Sequence, residues 1–388
     1  MKDIVINDSI KYISVYDKDI DLFENQYKVP NGITYNSYVI FDEKIAVMDT
    51  VDKRKQDKWL KNLDMILNSK IPNYLIVSHM EPDHSSCIKV LIDKYPNMKI
   101  VGNTKTFEMI NQFFKIDDLD NKKVVVTEND ELNLGHHILK FIMAPMVHWP
   151  EVMMTYDKKD KILFSADAFG IFGTLDKNED WTCEARRYYF GIVGKYGMQV
   201  QMLLKKIANL EIQTICSLHG PILKDTITKY IEKYDIWSKY EPENKGVFIA
   251  YASIYGNTKE AVDKLVETLK NSGEKNIVIS DLCHEDWAKC IANAFRYDRI
   301  VLAASSYNNG VFTPMYNFLH GLLERNYQNR KIGIIENGSW APSAGRVMQE
   351  ILSEMKNIEV YENIVTIKSS LNEDAENSLQ KLAKEIVR

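Results

Sequence analysis

The stretch Ser78-His79-Met80-Glu81-Pro82-Asp83-His84 places four potential metal ligands within six positions. It follows Tyr74-Leu75-Ile76-Val77, a short apolar run that reads as a buried strand. In an extended loop alternate side chains point the same way, so His79, Glu81 and Asp83 can converge on one side. His84 sits beside them, where a helical pattern is expected to begin at Ser85. Ionisable groups packed beside a buried strand are costly unless something compensates their charge. One divalent metal ion, or a pair, is the natural compensation. A solvated polar turn is the competing reading, and more ligands further along the chain decide against it.

Three more candidates appear in one repeated context, the end of an apolar strand. His148 follows Ile142 to Val147, Asp167 follows Ile162 to Ala166, and His219 follows Thr214 to Leu218. Singly, each would be a satisfied core histidine or a helix-capping aspartate. Together with the dense cluster they form a donor set of three carboxylates (Glu81, Asp83, Asp167) and four imidazoles (His79, His84, His148, His219). That mixture of hard and borderline ligands suits zinc and non-haem iron alike.

Composition narrows the function classes. The 388 residues suggest two or three domains, and 45% hydrophobic with 27% charged residues describe an ordinary globular protein. A formal net charge of -5 gives no electrostatic support for nucleic-acid binding. No apolar run reaches the length of a membrane span, and Met1 to Asp8 lacks an apolar signal core. The five cysteines, Cys87, Cys183, Cys216, Cys283 and Cys290, form no Cys-x-x-Cys pair, which suits a reducing cytoplasm and excludes a built-in rubredoxin or zinc ribbon.

Around the motif, strands are expected at Ile10 to Tyr16, Tyr35 to Phe41, Lys44 to Asp49, Lys99 to Val101, Val124 to Thr127, Ile138 to Met143, Val152 to Asp157 and Ile162 to Ser165. Helical spacing covers Asp52 to Asn68 and Ser85 to Tyr95. Pattern alone does not separate a sandwich from one open sheet. Tyr240 to Gly246 reads as a short polar linker. Beyond it the pattern alternates strand and helix: Val247 to Tyr251, Asn257 to Leu269, Ile277 to Leu282, Ile300 to Ala304, Ile332 to Glu336 and Ile364 to Ile367. That is the signature of a doubly wound parallel sheet.

The series His-x-Glu-x-Asp-His, His148-Trp149-Pro150, Asp167 and His219-Gly220-Pro221 resembles the metallo-β-lactamase-like domain of the flavodiiron proteins. Val29-Pro30-Asn31-Gly32 and Tyr35-Asn36-Ser37-Tyr38 extend the likeness. Hydrolases of that fold carry a second histidine where Glu81 stands. The resemblance implies an αββα metallo-β-lactamase-like sandwich over 1–243. His79, Glu81, His148 and Asp167 would hold one iron, and Asp83, His84, Asp167 and His219 the other, with Asp167 and an oxo or hydroxo group bridging. Ligation at the position of His84 varies among members. Two ferrous ions would be neutralised by the three carboxylates and one hydroxide. A tyrosine also lines the pocket in the family. Tyr196 is the candidate here, with a plain packing role as its alternative, and Trp149 is either pocket wall or core.

In the last third, Ser253-Ile254-Tyr255-Gly256-Asn257-Thr258 lies between a strand and a helix. Its hydroxyls and backbone N–H groups suit a phosphate, or equally a well-capped helix start. Ser305-Ser306-Tyr307-Asn308-Asn309-Gly310 and Asn337-Gly338-Ser339-Trp340 each follow a strand and gather beside it in such a sheet. The trio resembles flavodoxin, with Ala304-Ser305-Ser306 where members often have Ser-Pro-Thr. It implies FMN bound over 247–388 by Ser253, Tyr255, Gly256, Asn257, Thr258, Ser306, Tyr307, Asn308, Asn309, Gly310, Ser339 and Trp340.

The resemblance covers nearly the whole chain and implies a cytoplasmic oxidoreductase. Its substrate would be O2, reduced to water, or NO, reduced to N2O. Electrons would pass through FMN from an external donor, a rubredoxin-like protein or a reduced deazaflavin, because no NAD(P) fingerprint is present. A head-to-tail homodimer or a tetramer, with no nucleic-acid or membrane partner, completes the expectation. The alternative is a dizinc hydrolase fused to an independent flavodoxin electron carrier.

Overall fold

The computed structural model describes residues 6–176 and 180–388. Met1 to Val5, most of the stretch inspected for a signal core, lie outside them. The chain divides into two compact units, Met1–Asp235 and Ile236–Arg388.

The first unit is a sandwich of two six-stranded sheets. One runs in the order Ile10–Tyr12, Tyr38–Ile40, Ala46–Met48, Tyr74–Ile76, Lys99–Gly102, Lys123–Val125. The other runs Glu131–Asn133, Ile138–Met143, Met153–Asp157, Ile162–Phe164, Thr214–Cys216, Leu223–Lys224. Their inner faces share one core: Tyr38, Ile40, Met48, Ile76 and Val101 meet Leu139, Phe141, Met153, Phe164 and Cys216. Helices cover the outside. Gln56–Leu67 buries Trp59, Leu63 and Leu67, one residue per turn, and stops where Asn68 turns left-handed at φ 45°.

Several elements differ from the sequence expectation. The helix expected from Ser85 to Tyr95 is two pieces, Pro82–Ser85 and Ile88–Lys94. Pro82 suits a first helical position, so the turn starts early. The break falls at Cys87, whose N–H goes to Thr50 Oγ1 (3.3 Å) and whose Sγ donates to the Val51 carbonyl. Asp83 and His84 therefore sit on a helical turn rather than an extended loop. The span Ile10 to Tyr16 is also two strands, Ile10–Tyr12 and Val15–Asp17, in different sheets.

The second unit carries parallel strands in the order Ile277–Asp281, Asn244–Ala252, Tyr297–Tyr307, Gln328–Asn337, with Lys356–Val360 and Val365–Ile367 both on the last. This is the flavodoxin order, in which ligands sit at the carboxyl ends of the central strands. The polar stretch read as a linker is bonded into this unit. Asn244 already pairs with Tyr297, and buried Arg330 donates to the Tyr240 carbonyl at 2.7 Å. The third strand overruns its expected end, because Ser306 and Tyr307 pair with Val311 and Gly310. Asn308 (φ 48°) and Asn309 (φ 59°) close that hairpin in the mirror-image turn that asparagine tolerates.

Candidate metal centre and flavin pocket

The motif loop is held by buried polar groups that are not among the seven candidate ligands. Asp49, at the end of Ala46–Met48, takes the Ser78 N–H at 2.6 Å and the His79 N–H at 3.4 Å. Burial pushes its carboxyl up to about 6, against those hydrogen bonds. Glu151 Oε1 takes the Met80 N–H at 2.8 Å. Thr50 donates from its N–H and its hydroxyl to the His84 carbonyl, at 2.9 and 2.7 Å. Backbone held at this many points lets seven polar side chains stay in a dry pocket.

All seven come together, and they divide into two groups. His79, Glu81, His148 and Asp167 form one; Asp83, His84 and His219 form the other; within each, the candidate donor atoms lie within 4.8 Å of one another. In the first, His148 Nε2 lies 3.1 Å from Glu81 Oε2 and 3.1 Å from Asp167 Oδ2, with His79 Nε2 at 3.2 and 3.4 Å from the same oxygens. In the second, Asp83 Oδ2 is 3.2 Å from His84 Nε2 and 3.3 Å from His219 Nε2. Asp167 Oδ1 turns to this group, 3.3 Å from His84 and 3.7 Å from His219. Asp167 thus offers one oxygen to each side.

The contacts have the geometry of donors aimed at common points rather than at one another. Both oxygens of Asp83 and Oδ1 of Asp167 are buried without a hydrogen-bond partner, despite those short separations. The His84 and His219 Nε2 atoms face each other at 3.0 Å. Burial opposes ionisation of Asp83 and Asp167, yet the neighbouring imidazoles hold both carboxyls below their ordinary range. Burial likewise opposes the imidazolium of His84 and of His148, yet the carboxylates raise them to about 10 and about 9. Carboxylates in such a dry pocket need cationic partners, since an uncompensated buried ion costs on the order of several kcal/mol, and neutral imidazoles with a bound cation would supply the same compensation as imidazoliums. Two divalent cations fit the donor set.

Aromatic rings wall this centre. Trp149 stands edge-on to His79 (5.2 Å between ring centroids), and Phe23 edge-on to His219 (5.3 Å). The tyrosine beside the carboxylates is Tyr188, 5.6 Å from His219, its hydroxyl held far above its usual pKa by burial and then by Asp167, Glu81 and Asp83. Tyr35 lies 6.0 Å from His219 and accepts a hydrogen bond from Arg54. Tyr196 is half-buried on the following turn, and among the described residues no ring, hydrogen-bond or ion-pair contact joins it to the cluster. Asp49, Glu151 and Tyr188 escaped the sequence reading, and Tyr35 entered it only through the Tyr35-Asn36-Ser37-Tyr38 likeness. Asp49 shows the signal that marked His148 and Asp167, an ionisable residue at the end of an apolar strand.

In the second unit a cavity of about 500 Å³ opens at the carboxyl edge, a size suited to a cofactor. Ser253, Tyr255, Asn257, Thr258, Ser306, Tyr307, Asn308, Asn309, Ser339 and Trp340 line it. Gly256 and Gly310 do not; they shape the backbone. Gly256 has φ 97° and, as the residue before helix Asn257–Asn271, offers no side chain to cap it; within the first turn the Lys259 N–H reaches Ser253 Oγ at 3.4 Å. Uncapped N–H groups at a helix start are a ready phosphate site. Ser253 Oγ steadies the loop by accepting the Gly256 N–H at 3.1 Å. The Ser306 hydroxyl accepts from the Ser343 and Ala344 N–H groups, so it braces the Gly338 to Ser343 loop. Tyr255 and Trp340 stand 93% exposed at the rim, flat surfaces on which a flavin ring can stack.

Residues 33–220 match the family described as ODP family beta lactamase. An uncharacterized protein of Methanocaldococcus jannaschii is 32% identical over 320 residues, 81% of this chain and 80% of that one. A flavo-diiron protein of Clostridium acetobutylicum is 26% identical over 93% of this chain and 92% of its own. An anaerobic nitric oxide reductase flavorubredoxin of Vibrio vulnificus is 26% identical, covering 86% and 70%. Among solved structures, the rubredoxin oxygen:oxidoreductase of Desulfovibrio gigas superposes with a TM-score of 0.91 at 24% identity, over 99% of this chain and 97% of that one. No helix among the described residues is long and apolar enough to cross a membrane.

Proposed function

Since the chain belongs to the flavodiiron protein family, we propose that it reduces O2 or NO at two iron ions held by its seven clustered side chains. The observation that carries this reading is Asp167, buried, with one carboxylate oxygen facing each group of donors. Iron bound there would polarise and reduce a diatomic gas, and FMN in the second unit would return the electrons.

The protein's own residues supply placement and exclusion. His79, Glu81 and His148 would hold one cation, and Asp83, His84 and His219 the other. Asp167, with one carboxylate oxygen toward each group, would serve both sites. Phe23, Trp149 and Tyr188 keep bulk water from the centre, which strengthens every charge interaction inside it. The Tyr188 hydroxyl, buried beside the centre and raised by the nearby carboxylates, stays protonated and would be available there as a hydrogen-bond donor. In the second unit the amides after Gly256 would hold the FMN phosphate.

The donor is an external one-electron protein of the rubredoxin type or a reduced deazaflavin. The likeness to a flavorubredoxin and to a rubredoxin oxygen:oxidoreductase supports the first, and the lack of an NAD(P) fingerprint supports both. A head-to-tail homodimer, or a tetramer built from it, would cover the exposed rings of Tyr255 and Trp340, and aromatic surface of this kind favours burial.

Steady-state gas consumption tests the proposal. Protein loaded with iron and FMN, given a reduced donor, should consume O2 or NO, and the zinc-loaded protein should not. Ester or thioester cleavage by the zinc form, with no gas uptake by the iron form, would overturn it.

A further inference from the structure

Three imidazoles of the metal centre, His79, His84 and His219, are backed unequally. His219 Nδ1 donates to a neutral carbonyl, that of Thr34, at 2.6 Å. His84 Nδ1 is buried and has no hydrogen-bond partner. His79 Nδ1 lies 2.7 Å from Oε1 of Glu151, a carboxylate with no solvent exposure. The same oxygen takes the N–H of Met80, so it fixes ring and backbone together. Glu151 is itself anchored, its carbonyl accepting from Asn103 Nδ2 at 2.6 Å.

We propose that Glu151 is a positioning residue that sets His79 as an Nε2 donor and tunes the metal ion on the Glu81–His148 side alone. The proposal rests on the metal reading above. A carboxylate at Nδ1 requires the proton there, which leaves the Nε2 lone pair pointing between Glu81 and Asp167. Carboxylate backing also makes the ring a stronger electron donor than carbonyl backing does. The ion bound by His79, Glu81 and His148 therefore meets a more electron-rich ligand set than the ion beside Asp83, His84 and His219. The two iron ions are inequivalent by construction, and one outer residue controls the difference.

Glu151→Gln keeps the shape and an acceptor oxygen for Met80, and removes the charge. Glu151→Ala removes both. Mössbauer spectra of protein loaded with enriched iron, together with iron titrations, read each ion separately. Glu151→Gln should shift one of two iron signals, leave the other in place, and weaken iron binding at one site by about 10- to 100-fold. Glu151→Ala should lose one iron and keep the other, with FMN affinity unchanged in both variants. A purely structural role would lower the stability of the metal-free protein and leave both signals alone. Unchanged signals and affinities in Glu151→Gln, or equal shifts of both, would overturn the proposal. If Glu151→Ala fails to fold, Glu151→Gln still decides. Two native signals in both wild type and Glu151→Gln would sink this inference and leave the metal reading intact; a wild type unable to hold two irons would sink both.

Discussion

Asp167→Ala is expected to lower O2 or NO reduction by about a thousandfold or more, on the scale of several kcal/mol of lost metal-centred stabilisation. The substitution removes the one side chain that reaches both groups, 3.1 Å from His148 Nε2 through Oδ2 and 3.3 Å from His84 Nε2 through Oδ1. Iron content should fall toward one or none per chain. FMN content should not change, because the flavin pocket draws no residue from this strand end. Asp167→Asn keeps the volume and one acceptor oxygen, so it should retain more iron than the alanine variant while still losing most of the turnover. Iron assay, flavin absorbance and gas consumption on the same preparations separate these outcomes. An alanine variant with two irons and turnover within about tenfold of wild type would remove the bridging role.

The second large effect belongs to the flavin. Gly256 is left-handed at φ 97°, and a Cβ there would meet nothing within 4 Å. The cost of a larger residue is therefore backbone strain, about 1–3 kcal/mol for a β-branched side chain. A loop that relieves this strain by turning its amides away must restore them to bind phosphate. Gly256→Val should weaken FMN by about 5- to 150-fold. Gly256→Asn should weaken it far less, because asparagine tolerates the left-handed region. Fluorescence titration of flavin-free protein measures both, and the iron content should match wild type in each. Equal affinities for the glycine, asparagine and valine forms would mean that this loop does not cradle the phosphate.

Much of this site was legible because its donors share one context. His79, Asp167 and His219 each lie 3 residues beyond the end of an apolar strand, whereas the strand before His148 already stops at Met143. The alternating strands and helices of the last third made the second fold equally plain. What escaped was set by contacts distant in sequence. Nothing local announces that the Asp49 carboxylate turns back to the amides at 78 and 79, or that Glu151 reaches His79. The choice of Tyr188 over Tyr196 depends on where helix Trp181–Tyr188 gives way to a wider turn. The hairpin at Asn308-Asn309 was hidden because its polar residues look like loop, although two asparagines in sequence suit a mirror-image turn. The small strands Leu22–Phe23 and Tyr27–Lys28 carry too few residues for any period to show.

The central claim is that the seven side chains hold redox-active metal ions that the flavin can recharge. Counting electrons tests it most directly. Fully reduced protein, freed of excess donor, is titrated with known amounts of O2 or NO until no further oxidation occurs, and the electrons delivered per chain are counted. Two ferrous ions give one each and reduced FMN gives two, so the account predicts four. A count of two, with the flavin alone oxidised and the metal ions unchanged, would contradict it.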